Sequence, residues 1–277
     1  MRRTRGRAPP GRRRDRHLRC VRRAAAGGPG RHLVLLGKES DAEAAQSLDT
    51  VRALARGRID YVQVDFAEPD STRAAAAAVR RLLPRIDLLI NDAGMPGLPD
   101  RVVTADGSER TFAVNALGPA LFTQLLMPAL SQGSRVVFVA SSAHRVEAFD
   151  PGDPDLSRHY SAVGAYARSK GALLAWALAL ADAARDSGIE VVALCPGLND
   201  TPLSATMMGR VGGTPRVGAA HTWRAATATL PTGSYLEGDR IVTPGPPAGD
   251  VRTRAVVSAV IERRIGAPQP GRSGTAA

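Results

Sequence analysis

From Arg31 onward, short apolar runs alternate with longer segments of helical character, and this alternation limits the possible folds more than any other feature. His32–Gly37 (HLVLLG), Ile59–Asp65 (IDYVQVD), Ile86–Asn91 (IDLLIN), Arg135–Ser141 (RVVFVAS) and Ile189–Leu194 (IEVVAL) read as strands. Between them, Asp41–Ala55, Pro69–Leu83, Ser108–Leu130 and Ala165–Arg185 read as helices. Ser40 is placed to cap the first helix, and Pro69 opens the second. Strands this apolar, each followed by a helix, demand a parallel sheet covered on both faces. The expectation is an α/β chain with a Rossmann-type doubly wound parallel sheet, in a single domain over residues 30–266. Residues 204–245 are rich in Gly, Thr and Pro and are expected to form a lid and a small hairpin turning at Glu237–Asp239. Val251–Ile265 reads as a last helix, and 267–277 as a loose tail.

In such sheets ligands bind beyond the carboxyl ends of the strands. Three groups of small or polar residues stand at those ends: Asn91–Gly94 (NDAG), Ser141–Ser142 and Cys195–Gly197 (CPG). Convergence on one edge points to an enzyme site.

The net charge of +11 suggests a nucleic-acid partner until it is located. Residues 1–31 hold twelve arginines against one acid, Asp15, which accounts for all of it. The rest of the chain is neutral. The basic segment 1–29 carries no aromatic residue for base stacking and no helical pattern, so it reads as an irregular leader and no nucleic-acid partner is expected. Arg2–Arg3 has no apolar stretch behind it, which argues against twin-arginine export. No run approaches 18 uninterrupted apolar residues, so no membrane span is expected. Cys20 and Cys195 are too few for a disulfide framework or a Cys-rich metal site, and a reducing cytoplasm is the expected compartment.

Lysine is scarce: positive charge is written as arginine everywhere except Lys38 and Lys170. A position that keeps lysine can need a compact ammonium that a guanidinium does not replace. Lys170 follows Tyr166 by four residues on a helix, so the two share a face. A phenol with an ordinary pKa of about 10 is a poor acid–base catalyst at neutral pH. A nearby ammonium favours the phenolate and brings it toward the working range. Ser142 stands at a strand end before that helix and can hold a carbonyl oxygen. Asn115 lies in the helical segment FAVNALG and can bridge the lysine to water. Asn91, Ala93 and Gly94 form a strand-end turn with little side chain, where a cofactor can lie on bare backbone.

Taken together, from about Arg31 to Gly266 the sequence resembles the short-chain dehydrogenase/reductase family, in particular its retinol-dehydrogenase-like branch. NDAG resembles the family's Asn-Asn-Ala-Gly turn. VNALG carries the family's active-site asparagine at Asn115. SSAH (Ser141–His144) places the family's serine at Ser142, and YARSK supplies Tyr166 and Lys170. Tyr160 is excluded because position 164 is Gly164. PGLNDT resembles the turn that flanks nicotinamide, with Pro196, Gly197 and Thr201, and Asp65 matches the acid that meets adenine. GSYLEGDRIVTP resembles a late hairpin of the branch.

The resemblance implies hydride transfer between a nicotinamide and a carbonyl carbon. Tyr166 would protonate the oxygen, Ser142 orient it, Lys170 lower the tyrosine pKa and bind ribose, and Asn115 support proton relay. Lys38 follows the strand HLVLLG, where the family selects its cofactor; a base there favours NADP(H) over NAD(H). The implied substrate is a small apolar ketone or alcohol. The arginine bias fits a GC-rich bacterial gene, and an aromatic polyketide of the anthracycline kind, in antibiotic biosynthesis, is the expected ketone. The stretch Leu203–Arg210 is expected to be flexible and to border it, its methionines suiting a bulky apolar ligand. Family members often pair through the Tyr–Lys helix, so Ala172–Ala181 reads as a homodimer face or as core.

One part of the family pattern is missing. The first strand and the Gly-x-x-x-Gly-x-Gly phosphate turn belong before residue 31, and residues 1–30 fit neither. Gly27, Gly28 and Gly30 are interrupted by Pro29 and sit where the following helix should end. The segment has about the right length for a strand, turn and helix, so a shifted reading frame at the start of the gene is one expectation. The competing one is a catalytically impaired scaffold or regulatory relative with a basic arm.

Overall fold

The computed structural model describes residues 31–209 and 212–266. The basic segment, the degenerate first strand and phosphate turn, the shifted-frame question, Arg210 and the tail 267–277 lie outside the described residues.

Two parallel ladders form. β1 (His32–Gly37) pairs with β2 (Arg58–Gln63) from His32↔Arg58 to Gly37↔Gln63. β3 (Leu88–Asn91), β4 (Arg135–Val139), β5 (Glu190–Cys195) and β6 (Tyr235–Glu237) follow in parallel, and β7 (Arg240–Ile241) closes the edge antiparallel to β6. One sheet was expected; among the described residues β1–β2 and β3–β7 are separate.

The helices are α1 (Asp41–Arg52), α2 (Pro69–Leu82), α3 (Arg110–Phe112), α4 (Gly118–Leu126), α5 (Ala162–Ala183), α6 (Pro202–Met208), α7 (Pro215–Thr227) and α8 (Val251–Ile265). Ser40 caps α1 in a reciprocal capping box with Glu43. β4 is buried on both faces, and its side chains alternate. Val136 and Phe138 face α4 and α5, with Phe138 edge-on to Trp176 at 5.7 Å. Val137 and Val139 face α7 through Ala225 and Ala226. This double burial is why the strand reads as a continuous apolar run.

Four expectations change. The helix drawn over Ser108–Leu130 starts at Arg110, capped by the Glu109 carboxylate on the Thr111 and Phe112 amides. It is broken by a π turn over Ala113–Leu117 and ends in a 3-10 turn, Met127–Ala129. By length and composition Arg110–Ala129 could cross a membrane, but most of it is buried in the domain, as a core helix is. The Tyr–Lys helix begins at Ala162, not Ala165, because Ser161 caps it by accepting from the Gly164 amide. Residues 204–245 are not chiefly lid: they hold most of α6, all of α7, and β6, which extends the parallel sheet. Within the expected flexible stretch Leu203–Arg210, residues 203–208 are helical. Glycine, threonine and proline mask α7 in the sequence, yet Pro215 stands at its first turn, where proline is tolerated.

Ala172–Ala181 proves to be core. α8 packs along α5, with Val257, Val260 and Ile261 buried in the same apolar cluster.

Candidate active site

The parallel register sets Asn91 beside Phe138 and Val139 beside Leu194. Residues 91–94, 140–142 and 195–197 therefore emerge along one edge, as expected.

Tyr166 and Lys170 lie one turn apart on α5, and both are buried. The Lys170 ammonium donates to the Val139 carbonyl at 2.8 Å. A buried charge is tolerable only when it is hydrogen-bonded or paired, and this bond ties it to the end of β4.

Asn115 sits inside the π turn, where the Gly118 amide reaches back to the Ala113 carbonyl. The wider turn breaks the regular ladder at a functional position, as π turns often do. The Asn115 amide accepts from the Met95 amide at 2.8 Å. It donates to the Met95 carbonyl and to Ser169 Oγ, each at 3.0 Å. Ser169 in turn donates to the Tyr166 carbonyl at 2.8 Å. Asn115 thus clamps the loop after β3 onto α5. Both of its amide protons are committed inside the protein, so a relay role rests on its oxygen.

That loop lies against bare backbone. A Cβ on Gly94 would stand 3.2 Å from Lys170 Nζ and 3.4 Å from Asn115 Oδ1. A Cβ on Gly97 would collide with the Ala162 carbonyl. Tyr160, excluded as the reacting tyrosine, donates to the Leu98 carbonyl at 2.8 Å and holds the same loop. Ala93 is half-buried within it. Asn91 is buried and turns its amide to Thr123 at 3.0 Å, supporting the strand end from within.

Ser142 is exposed and opens a 3-10 turn, Ser142–Arg145, rather than closing the strand. Ser141 caps that turn by accepting from the Ala143 amide at 3.2 Å.

Beyond β1 and β2, Lys38 pairs with Asp65 at 2.9 Å, and Arg110 approaches the same carboxylate oxygen at 3.8 Å. Partial burial of Asp65 opposes its ionisation, but the Ala67 amide, Lys38 and Arg110 outweigh it and hold the carboxyl below the usual range. Beyond β5, Pro196 and Gly197 turn the chain, with Gly197 at φ +82 and open space where its Cβ would be. Asn199 fastens this turn by donating to the Gly197 carbonyl at 2.8 Å and accepting from the Gly218 amide at 3.1 Å. Thr201 caps α6.

Asn91, Ala93, Gly94, Ser142, Pro196 and Gly197 stand at or follow the carboxyl ends of β3, β4 and β5, with Asn115, Tyr166 and Lys170 on the helices packed beneath, while Lys38 and Asp65 follow β1 and β2. Arg110, Ser169, Asn199 and the loop contacts of Tyr160 were not foreseen. Only Asn199 carried a signal, since asparagine is suited to bonding nearby backbone in turns.

The donors and bare backbone present are of the kinds a dinucleotide would need. Lys38 and Asp65 would hold its adenosine end, the turn around Ala93 and Gly94 its middle, and Lys170 with Pro196–Thr201 its nicotinamide end. A parallel α/β sheet with these groups along its carboxyl edge defines a nicotinamide-dependent oxidoreductase. Residues 20–209 match the short chain dehydrogenase family, and the chain belongs to it.

Among its relatives, oxidoreductase fscI of Fusarium equiseti is 32% identical over 201 residues, covering 61% of this chain and 77% of that protein. Human retinol dehydrogenase 13 is 29% identical over 262 residues, covering 87% and 79%. The solved structure of an uncharacterized protein from Mycobacterium Paratuberculosis superposes with a TM-score of 0.71 at 26% identity, covering 89% of this chain and 98% of that one.

Proposed function

We propose that this chain is an NADP(H)-dependent reductase of a bulky apolar ketone, with an anthracycline-like aromatic polyketide in antibiotic biosynthesis as the substrate class. The observation that carries the reading is the buried Lys170, bonded to the end of β4, one helical turn from Tyr166 and beside the bare backbone of Gly94.

When bound, the nicotinamide supplies the hydride in reduction and takes it in alcohol oxidation. Tyr166 delivers the phenolic proton to the substrate oxygen. The Ser142 hydroxyl donates to that oxygen and orients it. Lys170 favours the phenolate by its charge and takes a ribose hydroxyl. The Asn115 oxygen supports return of the proton from water.

Lys38 supports NADP(H): it is a base at the end of β1, and its ammonium can meet a 2′-phosphate. The apolar substrate is supported by exposed Val146, Leu198 and Met208 on the segments that follow β4 and β5. A reducing cytoplasm suits Cys195, a buried free thiol. Self-association, frequent in the family, would need a face other than the α5 run that α8 covers.

The test is steady-state reduction of aromatic polyketide ketones and of retinal with NADPH and with NADH. Preference for NADPH and for the polyketide ketone is expected, with turnover abolished in Tyr166→Phe. Equal use of NADH would overturn the cofactor assignment, and turnover retained in Tyr166→Phe would overturn the assignment of roles.

A further inference from the structure

His144 lies two residues past Ser142, is buried, and takes no part in the chemistry proposed above. Its Nδ1 is 2.7 Å from the Ser141 carbonyl, and its Nε2 accepts from the Gly245 amide at 3.0 Å. A carbonyl on one side and an N–H on the other permit one protonation state: neutral, with the proton on Nδ1. The ring stands edge-on to Tyr235 of β6, with centroids 5.6 Å apart.

The segment bonded to His144 is wedged against the catalytic helix. A Cβ on Gly245 would meet Arg145 Cγ at 3.0 Å and His144 Nε2 at 3.5 Å. A Cβ on Gly171, the residue after Lys170, would meet Pro247 Cδ at 3.2 Å and His144 Cβ at 3.6 Å. Arg145 also pairs with Glu237 of β6 and donates to the Thr243 carbonyl at 3.3 Å.

We propose that His144 is a positioning residue for Ser142, its neutral Nδ1–H ring fixing the Ser141–Ser142 turn to the Thr243–Pro247 segment and so to α5. A four-residue 3-10 turn holds no stable shape alone. This turn takes its position from a ring that bonds it at one end and the sheet-edge loop at the other. The proposal rests on the reductase reading for its effect on turnover.

Protonation would undo the arrangement. An Nε2–H would then face the Gly245 N–H, donor against donor, and the turn would lose its tie. Burial disfavours the imidazolium and Arg145 adds to this; the Ser141 carbonyl and Glu237 oppose it, and the net effect holds the ring below its ordinary 6.5. Among the described residues, Arg145, Glu237 and the Tyr235 phenol are the titratable or charged groups that face it. The tie therefore holds at neutral pH and is lost as pH falls through the lowered pKa.

The test has two arms. In the first, ¹⁵N-labelled histidine NMR of the full chain reads the tautomer, and amide exchange reads Gly245. An Nδ1–H ring and a protected Gly245 amide that becomes exposed on acidification are expected. An Nε2–H ring, or an imidazolium at neutral pH, overturns the proposal whether or not any ketone is turned over. In the second, His144→Phe keeps the aromatic contact but removes both bonds. We expect kcat to fall by about 10- to 100-fold, with the NADPH Kd within about twofold of wild type. His144→Gln can donate and accept, and is expected to recover most of the loss while abolishing the acid limb of the kcat profile. Unchanged kcat in His144→Phe, or an unaltered acid limb in His144→Gln, overturns it. If His144→Phe fails to fold, the NMR arm and the His144→Gln profile decide alone. Absence of turnover in the wild type would count against the reductase reading only.

Discussion

Lys170 donates to the carbonyl of Val139, the last residue of β4, at 2.8 Å across 31 residues of chain. The bond joins the helix that carries Tyr166 and Lys170 to the strand that precedes the Ser142 turn. A guanidinium is planar and larger, and Gly94 already lies close to the ammonium. Lys170→Arg is expected to lower turnover at least about 100-fold and to cost about 1–3 kcal/mol of stability by unpairing a buried acceptor. Steady-state kinetics and urea unfolding measure the two effects.

Gly94→Ala probes the bare backbone on which a cofactor would lie. The new methyl would meet Lys170 Nζ at 3.2 Å and Asn115 Oδ1 at 3.4 Å, side-chain ends rather than backbone, so a small loss of stability with the fold retained is expected. Displacing that ammonium should weaken NADPH binding about tenfold, near 1.4 kcal/mol. Fluorescence titration beside a thermal melt checks this; unchanged affinity would remove Gly94 from the cofactor surface.

Ser169→Ala cuts the link between Asn115 and the Tyr166 carbonyl. One Asn115 proton loses its partner in a buried site, which should cost about 1 kcal/mol. A drop in kcat larger than the change in KM is expected, because the bond positions the tyrosine. A change in KM alone would place the effect elsewhere.

Asp153 gives the acid dependence a local source. Its carboxylate accepts from the Ser157 hydroxyl at 2.6 Å, the Ser157 amide at 2.8 Å and the Arg158 amide at 3.1 Å. The Ser157 hydroxyl, chiefly, holds its pKa far below the ordinary carboxylate value of 3.8, against the cost of burial. A depressed carboxylate stabilises the fold fully above its unfolded pKa and loses that contribution as pH falls toward the folded one. Melting temperatures of Asp153→Asn should therefore lie below wild type at neutral pH and converge on it below pH 3.8. Parallel curves across that range would assign the acid sensitivity to other groups.

The candidate site residues stand out in the sequence because each follows a local rule. Tyr166 and Lys170 are a helical i, i+4 pair. Ser142 and Gly94 follow apolar strands whose ends form the binding edge. The partners that hold them were illegible: Asn115 meets Ser169 across 54 residues, and Gly245 meets His144 across 101. The π turn escaped notice because its residues are ordinary helix formers, and the break lies in the backbone hydrogen bonds rather than in the side chains. The helix α7 escaped because tertiary packing of Ala225 and Ala226 against β4 and β5 overrides a weak local pattern.

The sequence by itself determined the alternating strands and helices, the strand ends at which small and polar residues collect, and the residue types found there. Those follow from hydrophobic period and side-chain chemistry, which are local. Only the tertiary structure decided that Ala172–Ala181 is core under α8, that Lys38 is met by Asp65 and Arg110, and that His144 ties the serine turn to a segment 101 residues away. Those depend on which distant groups are brought within hydrogen-bonding or van der Waals reach, and spacing along the chain does not encode that distance.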